Sequence, residues 1–144
     1  MKEIEIEVQL PAAETAVFLA DKHVGQLLSN LLGNAIAYTP VGGKVSISAG
    51  EEWANPDHPI WFKITDNGVG IVPDDLPYVF TRFYRGALGR EQQIPGTGLG
   101  LAICAEIVRR YQGDITIESE VGKGTSFTVF LPGTVLEGEG DDLA

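Results

Sequence analysis

Residues 24–38 read V-G-Q-L-L-S-N-L-L-G-N-A-I-A-Y, and this stretch sets the architecture. Val24, Leu27, Leu28, Leu31, Leu32, Ala35 and Ile36 recur at three- and four-residue intervals, the spacing that lays an apolar stripe along one face of an α-helix. Asp21 is placed to cap the helix, and Thr39-Pro40 followed by Gly42-Gly43 end it. Along the edge of the stripe runs a polar row, Gln26, Asn30, Asn34 and Tyr38, each one turn from the next. Asparagine is a poor helix former because its amide competes for the backbone. Two in mid-helix are either a solvated edge or a pair of carboxamide oxygens aimed at one point, a donor type that suits Mg²⁺ sharing its shell with phosphate and water.

On both sides of this helix the period changes from helical to alternating. Ile4, Ile6, Val8 and Leu10 alternate with polar residues, and Ala16–Ala20 is a short apolar run; both read as strands. Lys44–Ala49 and Ile60–Thr65 are strand-like, joined by a loop rich in turn formers. Pro73-Asp74-Asp75-Leu76 signals a short turn or helix, and Leu99–Tyr111 a second long one. Asp114–Glu118 and Ser126–Leu131, linked by V-G-K-G, form a closing hairpin. Helices mixed with strands, one hairpin among them, predict an α/β fold: a two-layer sandwich with a mixed sheet and helices on one face. Residues 1–132 are expected to form one domain, and the acidic, glycine-rich residues 133–144 a flexible tail.

The bulk composition narrows the function. The chain has 144 residues, 44% of them hydrophobic, and a net charge of −10, so it holds one core and has no basic surface for nucleic acid or anionic lipid. Any bound anion must rest on backbone N–H groups, a metal and a few cations. The single cysteine, Cys104, sits in an apolar helical run and is expected to be a buried, inert thiol. The N-terminus lacks a signal-peptide pattern, and no apolar stretch approaches the roughly 18 residues of a membrane span. The expectation is a cytoplasmic, monomeric domain without membrane contact of its own, compatible with the cytoplasmic part of a membrane-bound sensor.

Two further strings carry chemistry. I-T-D-N-G-V-G-I at 64–71 ends a strand with a carboxylate and two glycines. Asp66 there can accept a hydrogen bond from an exocyclic amine such as that of adenine, although D-N-G is also a good plain turn. P-G-T-G-L-G-L-A-I at 95–103 sets three glycines at the mouth of a helix, where free N–H groups and the helix dipole favour an anion. It is neither a Walker loop, lacking Gly-Lys-Ser/Thr, nor a dinucleotide fingerprint, lacking a leading strand. Between them, V-F-T-R-F-Y-R-G at 79–86 offers Phe80, Phe83 and Tyr84 as loop anchors and Arg82 and Arg85 as phosphate contacts. Residues 85–96, long and without periodicity, read as a lid.

Taken in order, these strings resemble the ATP-binding catalytic domain of two-component sensor histidine kinases, a member of the Bergerat fold shared with gyrase, a heat-shock chaperone and mismatch-repair ATPases. The asparagine box, first glycine box, phenylalanine box and second glycine box all occur within residues 3–132. The resemblance implies ATP and Mg²⁺ as cofactors. It implies that Asn34 coordinates the metal with Asn30 in support, that Tyr38 packs on adenine, and that Asp66 accepts its amino group. Gly68 and Gly70 would let the base approach, and Ile71 and Val79 would line the pocket. Arg85 would meet the phosphates, with Asn30 the other supporting candidate for catalysis, while Gly96, Thr97, Gly98, Leu99, Gly100 and Leu101 would hinge the lid around them. Thr125 and Phe127 would close the adenine side.

The family's hydrolases place a water-activating Glu one turn before the metal Asn; here that position is Asn30, which cannot take a proton. The resemblance therefore implies γ-phosphoryl transfer to a histidine on a separate dimerisation domain of the same parent protein, and onward to a response regulator. The alternatives are a protein-serine kinase of the anti-sigma type and a nucleotide-dependent binding module without transfer. Ala37 replaces the cation that many relatives carry before the box tyrosine, and neither His23 nor His58 has an acceptor context; both are expected to be surface residues.

Overall fold

The computed structural model describes residues 3–9, 15–17, 21–52, 54, 57, 59–84 and 99–135. In chain order these form β1 (Glu5–Gln9), β2 (Thr15–Val17), α1 (Asp21–Tyr38), β3 (Lys44–Glu51), β4 (Ile60–Asp66), a 3₁₀ helix (Pro73–Tyr78), α2 (Gly100–Arg110), β5 (Asp114–Glu120), β6 (Gly124–Leu131) and β7 (Gly133–Val135). Five strands make one sheet in the order β1-β3-β4-β6-β5. β1 joins β3 in parallel, with α1 in the connection, and the other neighbours are antiparallel. The sheet is mixed, as the sequence predicts.

Alternation along the strands decides which face carries the core. Ile47, Ile64, Phe127 and Ile117 stand opposite one another across β3, β4, β6 and β5. Leu27, Leu31 and Ala35 of α1 and Cys104 and Val108 of α2 pack on this side with Val45, Ile64, Phe127, Val129 and Leu131. On the opposite face Ser46, Thr65, Ser126 and Glu118 form the corresponding row, and the Thr65 and Ser126 hydroxyls share a hydrogen bond of 2.8 Å. That face is mostly polar, with Trp61 and Phe130 paired at its other end, and has no helix over it among the described residues. The result is the two-layer α/β sandwich.

Three expectations shift. Ile6 and Val8 of β1 were expected to be half-buried yet are 47% and 56% exposed, because β1 is the sheet's end strand and receives little cover from α1 and α2. Leu28, read as part of the apolar stripe, lies at its rim and is 38% exposed. Order also extends past Pro132: Gly133–Val135 pairs antiparallel with Thr15–Val17, and Phe18, Leu19 and Ala20 of the expected Ala16–Ala20 strand lie outside the described residues. The remainder of the expected tail, and Leu10, lie outside the described residues.

Leu31 is fully buried while Leu28 is not. Leu31→Ala is expected to destabilise the fold by about 2–5 kcal/mol, and Leu28→Ala by less than about 1.5 kcal/mol. Urea unfolding of the two variants checks this, and equal losses would contradict the placement of α1.

Candidate functional site

The rim of the sheet continues the core's register with different chemistry. One step along from the Ile47–Ile64–Phe127–Ile117 row, Val45, Asp66, Thr125 and Ser119 stand opposite one another. A carboxylate and two hydroxyls thus occupy the core-facing side where the sheet opens, and Asp66 is only 4% exposed. A buried carboxylate must be hydrogen-bonded. Asp66 Oδ1 accepts the Gly68 N–H at 2.8 Å and the Thr125 N–H at 3.3 Å. Among the described residues no donor pairs with Oδ2, which leaves that oxygen for an outside donor. Burial pushes the Asp66 carboxyl above its ordinary range, and the Gly68 and Thr125 N–H groups oppose the shift.

The turn after Asp66 is clamped from three sides. The Val69 N–H donates to the Tyr38 carbonyl at 3.1 Å, and the Gly122 N–H donates to the Val69 carbonyl at 3.0 Å. Asn67 N–H donates to the Lys44 carbonyl at 3.2 Å, while Asn67 Oδ1 accepts the Lys44 N–H at 2.8 Å. A Cβ at Gly68 would lie 2.1 Å from the Tyr38 carbonyl oxygen. Gly70 has φ +78°, and its Cβ would lie 2.3 Å from the Glu120 carbonyl oxygen. The two glycines, predicted to admit a base, are thus already required by the protein's own backbone. Ile71 follows, half-buried, its N–H donating to Ser119 Oγ at 2.8 Å.

α1 supplies the second wall. Asn30, Asn34 and Tyr38 are half-buried along it, and Gln26, the first of the row, is exposed. Asn30 Nδ2 donates to the Gly100 carbonyl at 3.4 Å, tying the polar row to the mouth of α2. No side chain caps α2 at Leu99, so its first N–H groups remain for an anion. Leu99, Gly100 and Leu101 are half-buried there. Among the described residues no cluster of three or more His, Cys, Asp or Glu is placed to hold a metal, and the Asn34 amide has no partner. One neutral amide oxygen fits an ion that arrives on a phosphate chain with its own waters, not a resident metal cage.

The aromatic segment is divided in a way the sequence did not show. Phe80 stacks edge-to-face on Phe127 with ring centroids 6.0 Å apart, and the Tyr84 hydroxyl donates to Asp75. Phe83, also expected to anchor, is 70% exposed at φ +64° because the backbone turns outward there. Arg82, proposed as a phosphate contact, instead pairs with Glu106 on the exposed side of α2. Val79 is half-buried at the end of the 3₁₀ helix. Arg85, Gly96, Thr97 and Gly98, together with the predicted lid and His58, lie outside the described residues.

Two residues behave differently from one another. Cys104 is fully buried between the helices, and burial pushes its thiol up to about 12, against a lowering hydrogen bond from Asn30; it is the inert thiol expected. His23 is not a plain surface residue: it is half-buried, with Nδ1 2.5 Å from the Tyr111 hydroxyl and Nε2 3.4 Å from Arg110. This contact joins the far ends of α1 and α2, away from the rim. Ser119 and Asn67, which lock the turn, were not singled out. Asn67 sits inside the D-N-G string and Ser119 lies outside every glycine string; in neither case does local sequence reveal a partner distant in the chain.

Comparison with known proteins agrees with this geometry. The sequence profile of the histidine kinase-, DNA gyrase B- and HSP90-like ATPases matches residues 20–135. The chain belongs to that family. It is 40% identical over 139 residues to the sensor-like histidine kinase SenX3 of Mycobacterium tuberculosis, covering 96% of this chain and 33% of that protein. It is 37% identical over 129 residues to the sensor histidine kinase RppB of Synechocystis sp., covering 90% of this chain and 28% of that protein. The chain therefore spans about a third of the length of these relatives. Among solved structures, the mycobacterial sensor histidine kinase MprB superposes with a TM-score of 0.77 at 31% identity, covering 92% of this chain and 85% of that one. Full-length ShkA in complex with AMPPNP superposes with a TM-score of 0.76 at 26% identity, covering 92% of this chain and 26% of that one. Among the described residues no helix is long and apolar enough to cross a membrane.

The raised Asp66 pKa fixes a sign. A carboxyl whose folded pKa lies above its unfolded value stabilises the fold below the ordinary carboxyl range, and this contribution is lost as pH rises through the raised value. Asp66→Asn keeps an acceptor for the Gly68 and Thr125 N–H groups and removes the cost of ionisation. Its melting temperature at pH 7 is expected to equal or exceed that of the parent chain. A lower melting temperature in thermal denaturation would contradict this account.

Proposed function

We propose that this chain is the catalytic domain of a sensor histidine kinase, which binds Mg-ATP and donates the γ-phosphoryl group to a histidine on another domain of its parent protein. The observation that carries the reading is the facing of two unlike walls. Buried Asp66, with one oxygen free, stands on the sheet rim, and the Asn30–Asn34 row of α1 faces the uncapped mouth of α2. The first wall suits a base with an exocyclic amine, and the second suits a phosphate chain and its cation.

In this reading Asp66 Oδ2 accepts the adenine amine, and Tyr38, Ile71, Val79 and Thr125 enclose the ring. Asn34 supplies an amide oxygen to Mg²⁺, which when bound neutralises phosphate charge. Asn30 holds the Gly100 carbonyl, so that the N–H groups of α2 point at the phosphates, and Gly96–Leu101 with Arg85 complete their surround. Neither Asn30 nor Asn34 can accept a proton, so water gains no general base from the asparagine row of α1. Transfer to an oriented nucleophile needs mainly positioning and charge neutralisation, and the histidine of a dimerisation domain would supply that nucleophile. A response regulator would be the next partner, and the parent protein would hold this domain on the cytoplasmic side.

Incubating the chain and labelled Mg-ATP with the histidine-bearing helical hairpin of its parent is expected to give acid-labile phosphohistidine. Acid-stable label would point to a serine kinase of the anti-sigma type. Binding without any label, in line with Ala37 in place of a phosphate-directed cation, would leave a nucleotide-binding module. Asn34→Ala is expected to weaken Mg²⁺-dependent ATP binding at least about tenfold while leaving metal-free binding in place. An unaltered Mg²⁺ dependence in calorimetry would remove Asn34 from the role.

A further inference from the structure

Ser119 belongs to none of the strings that define the nucleotide site, yet three hydrogen-bonding contacts meet at its hydroxyl. Its oxygen accepts the Ile71 N–H at 2.8 Å. It lies 3.0 Å from the Gly124 carbonyl and 2.8 Å from Thr125 Oγ1. A serine hydroxyl has one proton and two acceptor sites. The Ile71 N–H can only donate, and the Gly124 carbonyl can only accept. Only one arrangement makes all three contacts hydrogen bonds: Ser119 donates to Gly124, and Thr125 donates to Ser119. The Thr125 proton is then committed inward, and Thr125 Oγ1 offers only lone pairs to anything else.

Thr125 stands opposite both Asp66 and Ser119 in register, and its backbone N–H is used on Asp66 Oδ1. The base wall therefore shows a ligand two acceptors, Asp66 Oδ2 and Thr125 Oγ1, and no hydroxyl donor. We infer that Ser119 is a specificity-determining positioning residue: by orienting the Thr125 proton away from the ligand it makes the wall acceptor-only, selecting a purine with an exocyclic amine over one with a carbonyl in that place. This rests on the reading of Asp66 as the base acceptor. With the Ser119 hydroxyl gone, the Thr125 proton is free to turn outward and donate to the guanine carbonyl, so discrimination falls even though neither Asp66 nor Thr125 has changed.

The test is the ratio of GTP to ATP dissociation constants, measured on the full chain by calorimetry. Ser119→Ala is expected to lower this ratio by about tenfold, the value of one hydrogen bond made or missed. Ser119→Thr, which keeps the hydroxyl, is expected to restore the parent ratio. Ser119→Cys fills the space with a poor acceptor and should lower the ratio as alanine does, so it serves if the alanine variant does not fold. In a Thr125→Val background, where no hydroxyl proton remains to be oriented, Ser119→Ala should leave the ratio unmoved. A merely structural Ser119 would weaken both nucleotides alike in either background, and an unchanged ratio in Ser119→Ala and Ser119→Cys overturns the inference. A parent chain that binds ATP and GTP equally would instead overturn the Asp66 reading on which it stands.

Discussion

Everything at the rim of this sheet depends on how one buried carboxylate is held. Asp66 is the last residue of β4, and strand alternation turns its side chain toward the helices, where the preceding positions are Ile64 and Phe62. Left alone there, the group would lose its solvation without compensation. Two backbone donors prevent that, one from the turn that follows at Gly68 and one from the neighbouring strand at Thr125. The shape of the turn and the register of β6 are thus constraints on the same oxygen. Tyr38, Lys44, Ser119 and Gly122 then hold the turn itself, so all the elements bordering the rim converge on it.

The site also shows how a core becomes a pocket without a change of scaffold. The row Ile47–Ile64–Phe127–Ile117 and the row Val45–Asp66–Thr125–Ser119 lie on the same face in consecutive registers. The first closes against α1 and α2, and the second begins in the same core at Val45 and turns polar at Asp66, Thr125 and Ser119. The helices make the matching change: Leu27 and Leu31 face the core, while Asn30 and Asn34, each three residues further on, are half-buried, with Asn30 bonded to the mouth of α2. Moving one strand pair by a single residue would exchange polar and apolar sides, so the register that builds the core also places the polar groups.

Much of this was legible in the order of residues. The helical spacing of 24–38 located α1 and its buried face, and alternation located β3, β4, β5 and β6, because both signals are local and periodic. The glycine and asparagine strings disclosed the site because their chemistry is unusual where they occur. What stayed hidden depends on contacts between distant segments. No local pattern tells that Arg82 meets Glu106, that Phe83 turns outward, or that Gly133–Val135 finds β2. The alternation of Ile6 and Val8 marks the strand β1. It does not mark how far that strand is covered, because exposure depends on where a strand falls in the sheet order.

Cys104 has a consequence of another kind. It lies with no exposed surface where α1 crosses α2, its sulfur 3.9 Å from the Leu27 carbonyl, and reagents attack the thiolate, not the thiol. In the closed protein it is shielded both by packing and by its protonation. Modification must therefore wait for openings that part the two helices, and its rate follows how often they occur. The single thiol is thus an internal gauge of the work needed to separate the Asn30 wall from the mouth of α2.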